Sequence, residues 1–85
     1  MQVSIDISLY PLAQQQYKDL IWQFIKNLNA NEKVKVVSNG MSTQVFGDYD
    51  ETLDFVMNEI KAVHQQTESA VFILKMMPTN RDRNY

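Results

Sequence analysis

The sequence predicts an α+β fold in which four strands and two helices follow the order strand, helix, strand, strand, helix, strand. Three observations support this prediction. Residues 3–9 alternate apolar and polar side chains, which is typical of a strand with one buried face. Residues 17–28 place apolar side chains three and four positions apart, as in an amphipathic helix. Asn39-Gly40 separates two short β-like runs, and this dipeptide favours an antiparallel hairpin.

The first strand and the first helix both end at recognisable signals. Pro11 ends the strand because proline lacks the N–H group that a sheet requires. Asn29 and Asn31 follow the helix at the point where the apolar periodicity stops. The expected apolar face of the strand consists of Val3, Ile5, Ile7 and Leu9, and the expected buried stripe of the helix consists of Tyr17, Leu20, Ile21, Phe24, Ile25 and Leu28.

The second half of the chain contains the hairpin, the second helix and the last strand. We expect hairpin strands over residues 33–38 and 41–47, joined by a tight primed turn at Asn39-Gly40. Asp48 and Glu51 have the spacing of a capping box, although Asp50 is an equally good N-cap. Residues 70–77 form the last strand, which Pro78 ends. The expected buried stripe of the second helix consists of Leu53, Val56, Met57, Ile60 and Val63.

This order of elements folds most simply into a ferredoxin-like βαββαβ sandwich. Right-handed crossovers and one hairpin give a four-stranded antiparallel sheet with two helices on one face. Residues 1–78 are expected to form this single domain, and residues 79–85 a polar C-terminal tail. A frayed end is the default expectation for such a tail, with a clamp over a neighbouring subunit as the alternative. The tail residues concerned are Arg81, Asp82, Arg83 and Tyr85.

Two helices can cover only one side of the sheet, so the other side should stay open. The first strand is expected to direct Ser4, Asp6, Ser8 and Tyr10 to this open side, next to Ser42, Gln44 and Phe46. The last strand is expected to add Phe72, Leu74 and Met76, although a slip of one residue would exchange its two faces. An apolar patch of this size needs a partner. We therefore expect a homodimer or homotetramer that assembles through sheet faces.

Composition excludes several classes of function. The 85 residues carry a net charge of −2, without the basic field that nucleic-acid binding requires. The chain contains no cysteine and no apolar run of the roughly 20 residues that a membrane span needs. We expect a cytoplasmic protein with no nucleic-acid partner and no membrane insertion. The single histidine, His64, is expected near a helix C-terminus, where the helix dipole favours it.

Residues 38–43 are the strongest candidates for a ligand site, because this short segment combines a turn dipeptide, two hydroxyls and a thioether. Ser42 and Thr43 could bond a small ligand or pair with neighbouring backbone. Tyr10 and Phe46 could stack on a flat ring, although aromatic residues on sheets are more often packing residues. We predict no catalytic residue, no metal and no cofactor, because the acidic group at residues 48–51 is explained by helix capping.

Five segments, taken in order, carry a resemblance to a known family. They are Ile7-Ser8-Leu9-Tyr10-Pro11-Leu12, Ser38-Asn39-Gly40-Met41-Ser42-Thr43, Phe46-Gly47-Asp48-Tyr49, Val71-Phe72-Ile73-Leu74-Lys75 and Asp82-Arg83-Asn84-Tyr85. Together they resemble the YKOF-related family of thiamine-binding proteins. The resemblance implies a ferredoxin-like fold that assembles through its sheets. It also implies non-enzymatic binding of thiamine or its hydroxymethylpyrimidine moiety, in a pocket formed by an oligomer.

Carried over to this chain, the resemblance places Ser8, Tyr10 and the segment Met41-Ser42-Thr43 in the pocket. Strand parity adds Asp6, a possible acceptor for the amino group of an aminopyrimidine. The predicted ligand-binding residues are Asp6, Ser8, Tyr10, Asn39, Met41, Ser42, Thr43 and Phe46. A regulatory or structural oligomerisation module without a ligand is the alternative. An acyl-phosphate hydrolase on this fold is disfavoured, because residues 11–13 provide no glycine-rich anion loop.

Overall fold

The computed structural model describes residues 1–12 and 17–82, and these form the predicted ferredoxin-like sandwich. All strand pairs are antiparallel, and the sheet order is β2-β3-β1-β4. Strand β1 is therefore central and lies between β3 and β4. The elements are β1 Gln2–Pro11, α1 Tyr17–Asn29, β2 Lys35–Ser38, β3 Thr43–Asp48, α2 Tyr49–Gln66 and β4 Ala70–Met77.

The core lies between the helices and one face of the sheet. The predicted apolar face of β1 supplies its centre, since Val3 and Ile5 are completely buried. Leu28 of α1 and Val56 of α2 close over this face from the helical side. The strict alternation of β1 leaves Ser4, Asp6, Ser8 and Tyr10 on the opposite side. We call that side, which the helices do not cover, the open face.

The predicted parity of the last strand is wrong. In the β1–β4 pairing, Leu9 lies opposite Phe72 and Ser8 lies opposite Ile73, and directly opposed residues point to the same side of a sheet. Phe72, Leu74 and Met76 therefore point to the helical side. The open face receives Val71, Ile73, Lys75 and Met77 instead.

Packing under the helices explains this parity. The Phe72 ring lies 5.2 Å from the ring of Phe24 and 5.3 Å from that of His64, measured between centroids. His64 stands in the last turn of α2, as predicted, and its Nε2 donates a hydrogen bond to the Ala70 carbonyl at 3.0 Å. A slip of one residue would expose the larger Phe72 ring in exchange for an isoleucine or valine side chain.

The hairpin forms as predicted, but its turn is not a tight primed turn. Ser38 pairs with Thr43, so residues 39–42 make a four-residue loop. The Asn39 side chain organises this loop by accepting hydrogen bonds from the backbone N–H groups of Met41 (2.8 Å) and Ser42 (3.1 Å). Gly40 does not adopt a left-handed conformation. Asparagine side chains commonly replace backbone partners in this way.

The N-terminus of α2 is capped by Asp48 and not by Asp50. The Asp48 carboxylate accepts a hydrogen bond from the Glu51 backbone N–H at 3.1 Å, which is the interaction expected of an N-cap. Asp50 and Glu51 then place negative charge in the first helical turn, where the helix dipole favours it. The capping geometry fixes the point at which β3 turns directly into α2.

The C-terminal segment crosses the open face, and the expectation of a frayed end is wrong for residues 79–82. The Ser4 hydroxyl donates to the Thr79 carbonyl and accepts from the Arg81 N–H, both at 2.7 Å. Asp82 then forms a 2.6 Å ion pair with Lys35 on the edge strand β2. We call residues 78–82 the strap. Arg83 and Tyr85 lie outside the described residues.

The strap covers one end of the open face. Phe46 lies between Ser4 and Lys35 in the strand pairings, so the strap passes over its ring. Phe46 and Ser4 are each only 8% exposed, although no helix packs on this side. At the other end of the same face, Tyr10 is 50% exposed. The strap therefore covers Ser4 and Phe46, and the open face is uncovered at the end where β1 finishes.

Candidate functional site

Three polar side chains form a connected network in the middle of the open face. Asp6 lies opposite Gln44 in the β1–β3 pairing, and Ser42 immediately precedes β3. The Ser42 hydroxyl donates to Asp6 Oδ1 at 2.6 Å, and Gln44 Nε2 donates to the same oxygen at 2.8 Å. Gln44 Nε2 also lies 2.8 Å from the Ser42 hydroxyl oxygen. The network joins the central strand to the hairpin loop.

These contacts set the charge state of Asp6. The hydrogen bonds from Ser42 and Gln44 are the main causes that lower the pKa of Asp6 below its ordinary value; burial opposes them, and the positive charge of Lys75 adds a smaller lowering effect. Asp6 is therefore a carboxylate at neutral pH. Both hydrogen bonds end on Oδ1, and within residues 1–12 and 17–82 no group donates to Oδ2. That oxygen can accept a hydrogen bond from a ligand.

A cavity of about 280 Å³ lies beside this network, between α1, the end of β1 and the hairpin loop. We call it the hairpin cavity. One wall is apolar and comes from α1, and the opposite wall carries hydroxyls and backbone groups. The α1 wall consists of Ile21, Phe24 and Ile25, and the predicted site residues that line the cavity are Ser8, Tyr10, Asn39, Met41, Ser42 and Thr43.

A second depression, of about 440 Å³, lies beside the strap, which contributes Arg81 to its lining. We call it the strap groove. Phe46 and Met77 supply apolar surface, and Asp6 lies at the end nearer to the hairpin cavity. The groove is lined by Ser4, Ile5, Asp6, Gln44, Phe46, Lys75, Met77 and Arg81. The structure thus divides the eight predicted residues, six in the hairpin cavity and two in the strap groove, with the Ser42–Asp6 hydrogen bond joining them.

Two of the predicted site residues, Thr43 and Asn39, already have hydrogen-bond partners within the chain. Thr43 points to the helical side, is nearly buried, and shares a 2.8 Å hydrogen bond between its hydroxyl and that of Ser38. The side-chain oxygen of Asn39 already accepts two hydrogen bonds from the backbone of the loop. Met41, by contrast, is 88% exposed at the tip of the loop. Ser8, Tyr10, Met41 and Ser42 are therefore the better placed to touch a ligand in the hairpin cavity.

Sequence reasoning missed three polar residues near the site. Gln44 was assigned to the open face, but its contact with Asp6 required the β1–β3 register. To place Lys75 near the site, the correct parity of β4 had to be known. To place Arg81 there, the path of the strap had to be known, and no hydrophobic pattern in the sequence indicates that path. The alternation of Gln44 with Phe46 was the signal available for the first of these, and the sequence held no comparable signal for the other two.

The described part of the chain contains no group of three histidine, aspartate or glutamate side chains close enough to hold a metal ion. Likewise, none of the helices within the described residues is long and apolar enough to cross a membrane.

Comparison with known proteins assigns the family. The model of the YKOF-related family matches residues 2–78, and the chain belongs to this family. No curated protein sequence matches it. The fold is shared with solved structures of low sequence identity. A Streptococcus pneumoniae protein is 23% identical, with a TM-score of 0.84, and the alignment covers 95% of this chain and 90% of that one.

Two further solved structures share the fold. A Thermotoga maritima protein provisionally assigned to thiamine biosynthesis or salvage is 19% identical, with a TM-score of 0.80, and the alignment covers 93% of this chain and 85% of that one. A hypothetical protein from Methanocaldococcus jannascii is 24% identical, with a TM-score of 0.77 over 99% of this chain and 87% of that one.

Proposed function

We propose that this protein binds thiamine or its hydroxymethylpyrimidine moiety without chemical conversion, in a pocket completed by a second copy of the chain. The observation that carries the proposal is the Asp6 carboxylate, which is held by Ser42 and Gln44 with Oδ2 still able to accept a hydrogen bond. Family membership supports it, as does the provisional assignment of the Thermotoga maritima protein to thiamine biosynthesis or salvage.

The chemistry of an aminopyrimidine complements this network. Its exocyclic amino group is a donor, and an ionised carboxylate is a strong acceptor for such a group because charge-assisted hydrogen bonds are shorter and stronger than neutral ones. The Ser42 hydroxyl lies beside the carboxylate. By turning away from Asp6 it can donate a hydrogen bond to a ring nitrogen. Asp6 would thus orient the ring and Ser42 would help to select it.

The hairpin cavity would hold the flat part of the ligand. Its volume of about 280 Å³ is close to the lower end of small-molecule pockets, near 300 Å³, so it suits one ring and its substituents. Tyr10 can stack on the ring from the open side, and Ile21 and Ile25 form an apolar wall. The cavity borders the end of β1, and a partner bound there would close it.

The second copy would cover the exposed apolar end of the open face. Tyr10 pairs with Val71, and Ser8 pairs with Ile73, so the apolar side chains of β1 and β4 form one continuous surface. Val71 is 46% and Ile73 is 52% exposed. Burying such a surface against a second copy stabilises an assembly. The chain would form a homodimer or a homotetramer through this face.

Titration calorimetry tests the proposal. Thiamine and hydroxymethylpyrimidine are titrated into the wild-type protein, into Asp6→Asn and into Ser42→Ala, with Asp54→Asn as the matched control because Asp54 is exposed on α2. We expect binding to the wild type and to the control, and at least about tenfold weaker binding to Asp6→Asn, since a charge-assisted bond is replaced by a neutral one. No heat with either compound would refute the proposal.

An oligomerisation module without a ligand is the second candidate. The local hydrogen bonds of Asn39 and Thr43 favour it, because these residues already have partners without a ligand. It predicts the same assembly, but no calorimetric signal and no change in thermal stability with either compound. The two candidates therefore differ in ligand binding and agree on the interface.

A further inference from the structure

Lys75 lies beside Asp6 on the side opposite to the Ser42 and Gln44 contacts. In the strand pairings Asp6 lies opposite Gln44 on β3 and opposite Lys75 on β4, and directly opposed residues point to the same side of a sheet. The three side chains therefore form one row across the open face, with the carboxylate in the middle. Lys75 is exposed and lines the strap groove together with Asp6.

The two oxygens of the Asp6 carboxylate differ in their contacts. Both hydrogen bonds come from the β3 side of the row and end on Oδ1, whereas Lys75 is the neighbour on the β4 side. Among the residues that the structure describes, the Lys75 ammonium group and the Asp6 carboxylate form no ion pair, so the lysine charge acts on Asp6 only from a longer distance. An acceptor, Oδ2, and a donor, Lys75 Nζ, are thus neighbours that are not bonded to each other.

An acceptor beside a donor complements one particular edge of an aminopyrimidine. The exocyclic amino group is a donor, and the ring nitrogen bonded to the same carbon atom is an acceptor. A carboxylate oxygen can accept a hydrogen bond from the amino group while an ammonium group donates one to that ring nitrogen. Lysine suits the second role because its ammonium group has three donors, no acceptor and a flexible stem.

We propose that Lys75 is a specificity-determining residue of the ligand site: its ammonium group donates a hydrogen bond to the ring nitrogen beside the amino group, while Asp6 Oδ2 accepts one from the amino group. This inference rests on the proposed function and specifies which edge of the ligand is recognised. The ring lies over Ser8, because the strap covers Ser4 on the other side of Asp6. Ser8 lines the hairpin cavity, and its β4 partner Ile73 supplies an apolar contact.

Lys75 discriminates between ligands through one atom in this proposal. A ring of the same shape with CH in place of nitrogen leaves the ammonium group without an acceptor, although the amino group can still bond to Asp6. Hydrogen bonds to charged groups are stronger than those between neutral groups. Because Lys75 is exposed, water can replace the lost acceptor, so we expect a moderate effect of about fivefold on affinity.

Calorimetry with two probes tests the inference: the aminopyrimidine alcohol, and the aminobenzyl alcohol of the same shape in which both ring nitrogens are replaced by CH. Lys75→Met should weaken binding of the pyrimidine about fivefold and leave binding of the benzyl compound within about twofold of the wild type. Lys75→Arg keeps a charged donor, so its affinity for the pyrimidine should exceed that of Lys75→Met. Lys61→Met is the matched control, because Lys61 is exposed on α2 and lies outside both depressions.

The outcomes separate the two proposals. Binding of the pyrimidine that Lys75→Met leaves unchanged would overturn the inference and leave the proposed function standing. An equal loss for both compounds would also overturn it, because Lys75 would then act through the charge of Asp6 or through the assembly, and sedimentation of Lys75→Met tells these apart. Absence of binding of the pyrimidine alcohol and of thiamine to the wild type would overturn the inference together with the proposed function.

Discussion

The Ser42 hydroxyl lies 2.6 Å from the Asp6 carboxylate, although 36 positions separate the two residues in the chain. This contact ties the hairpin loop to the central strand at the point where the hairpin cavity meets the strap groove. It also helps to keep Asp6 ionised. Substitutions at either residue should therefore lower the stability of the fold, and only a substitution of Asp6 should also remove the negative charge of the site at neutral pH.

The stability contributed by Asp6 should depend on pH. Its pKa is lower in the folded chain, so the carboxylate stabilises the fold above its ordinary pKa, and this stabilisation is lost as the pH falls through the folded value. We expect Asp6→Asn to unfold with a free energy about 1 kcal/mol below that of the wild type at pH 7. The difference should shrink below about pH 4. Urea unfolding across this pH range measures it, with Asp54→Asn as control. A difference that is constant with pH would contradict the assignment.

The strap should be released by a change at Ser4. Ser4→Ala removes the partner of both the Thr79 carbonyl and the Arg81 N–H, so we expect a loss of about 1–2 kcal/mol in the free energy of unfolding. Hydrogen exchange at the Arg81 amide should become faster. Ser8→Ala is the matched control, because Ser8 lies on the same strand and the same face without such bonds in the described part of the chain. Unchanged exchange at Arg81 would show that the strap is held by other contacts.

Gly47 should not tolerate a side chain. A Cβ atom at this position would lie 2.5 Å from the Thr52 hydroxyl oxygen, and Thr52 is fully buried in α2. We expect Gly47→Ala to lower the free energy of unfolding by about 1–3 kcal/mol, as overpacking does. Gly40→Ala should have a much smaller effect, since nothing lies within 4 Å of its Cβ position. Thermal unfolding compares the two variants, and equal stability would contradict the steric account.

The assembly should depend on the open end of the sheet. Ile73→Glu places a charge in the exposed apolar surface next to Tyr10 and Val71, and burying an unpaired charge in an interface is costly. We expect this variant to be monomeric by sedimentation at concentrations where the wild type is a dimer or tetramer. Met57→Glu is the control, because Met57 is similarly exposed on α2. If Ile73→Glu assembles like the wild type, the interface lies elsewhere.

The parts of the fold that follow strict patterns could be predicted from the sequence. β1 alternates so regularly that both its faces, including Asp6 on the open face, follow from parity alone. The parity of β4 could not be predicted, because Val71 and Ile73 are as apolar as Phe72 and Leu74. Only the packing of Phe72 between Phe24 and His64 decides it. Hydrophobic patterning fails wherever both faces of a strand are apolar.

The candidate site could be predicted only in part, for a related reason. The hydroxyls near the hairpin were recognised because they stand in a compact segment, and six of the predicted residues do line one cavity. The charged residues Lys75 and Arg81 were missed, because their positions depend on the parity of β4 and on hydrogen bonds from a polar tail to Ser4. Such tertiary hydrogen bonds have no periodic signature in the sequence.

The strap leaves the end of the sheet where β1 finishes as the end available to a partner. A copy stacked there about a two-fold axis would bring the two hairpin cavities, which border that end, to the shared interface. Filling of one cavity would then be coupled to filling of the other, and saturation curves should depart from a Hill coefficient of one.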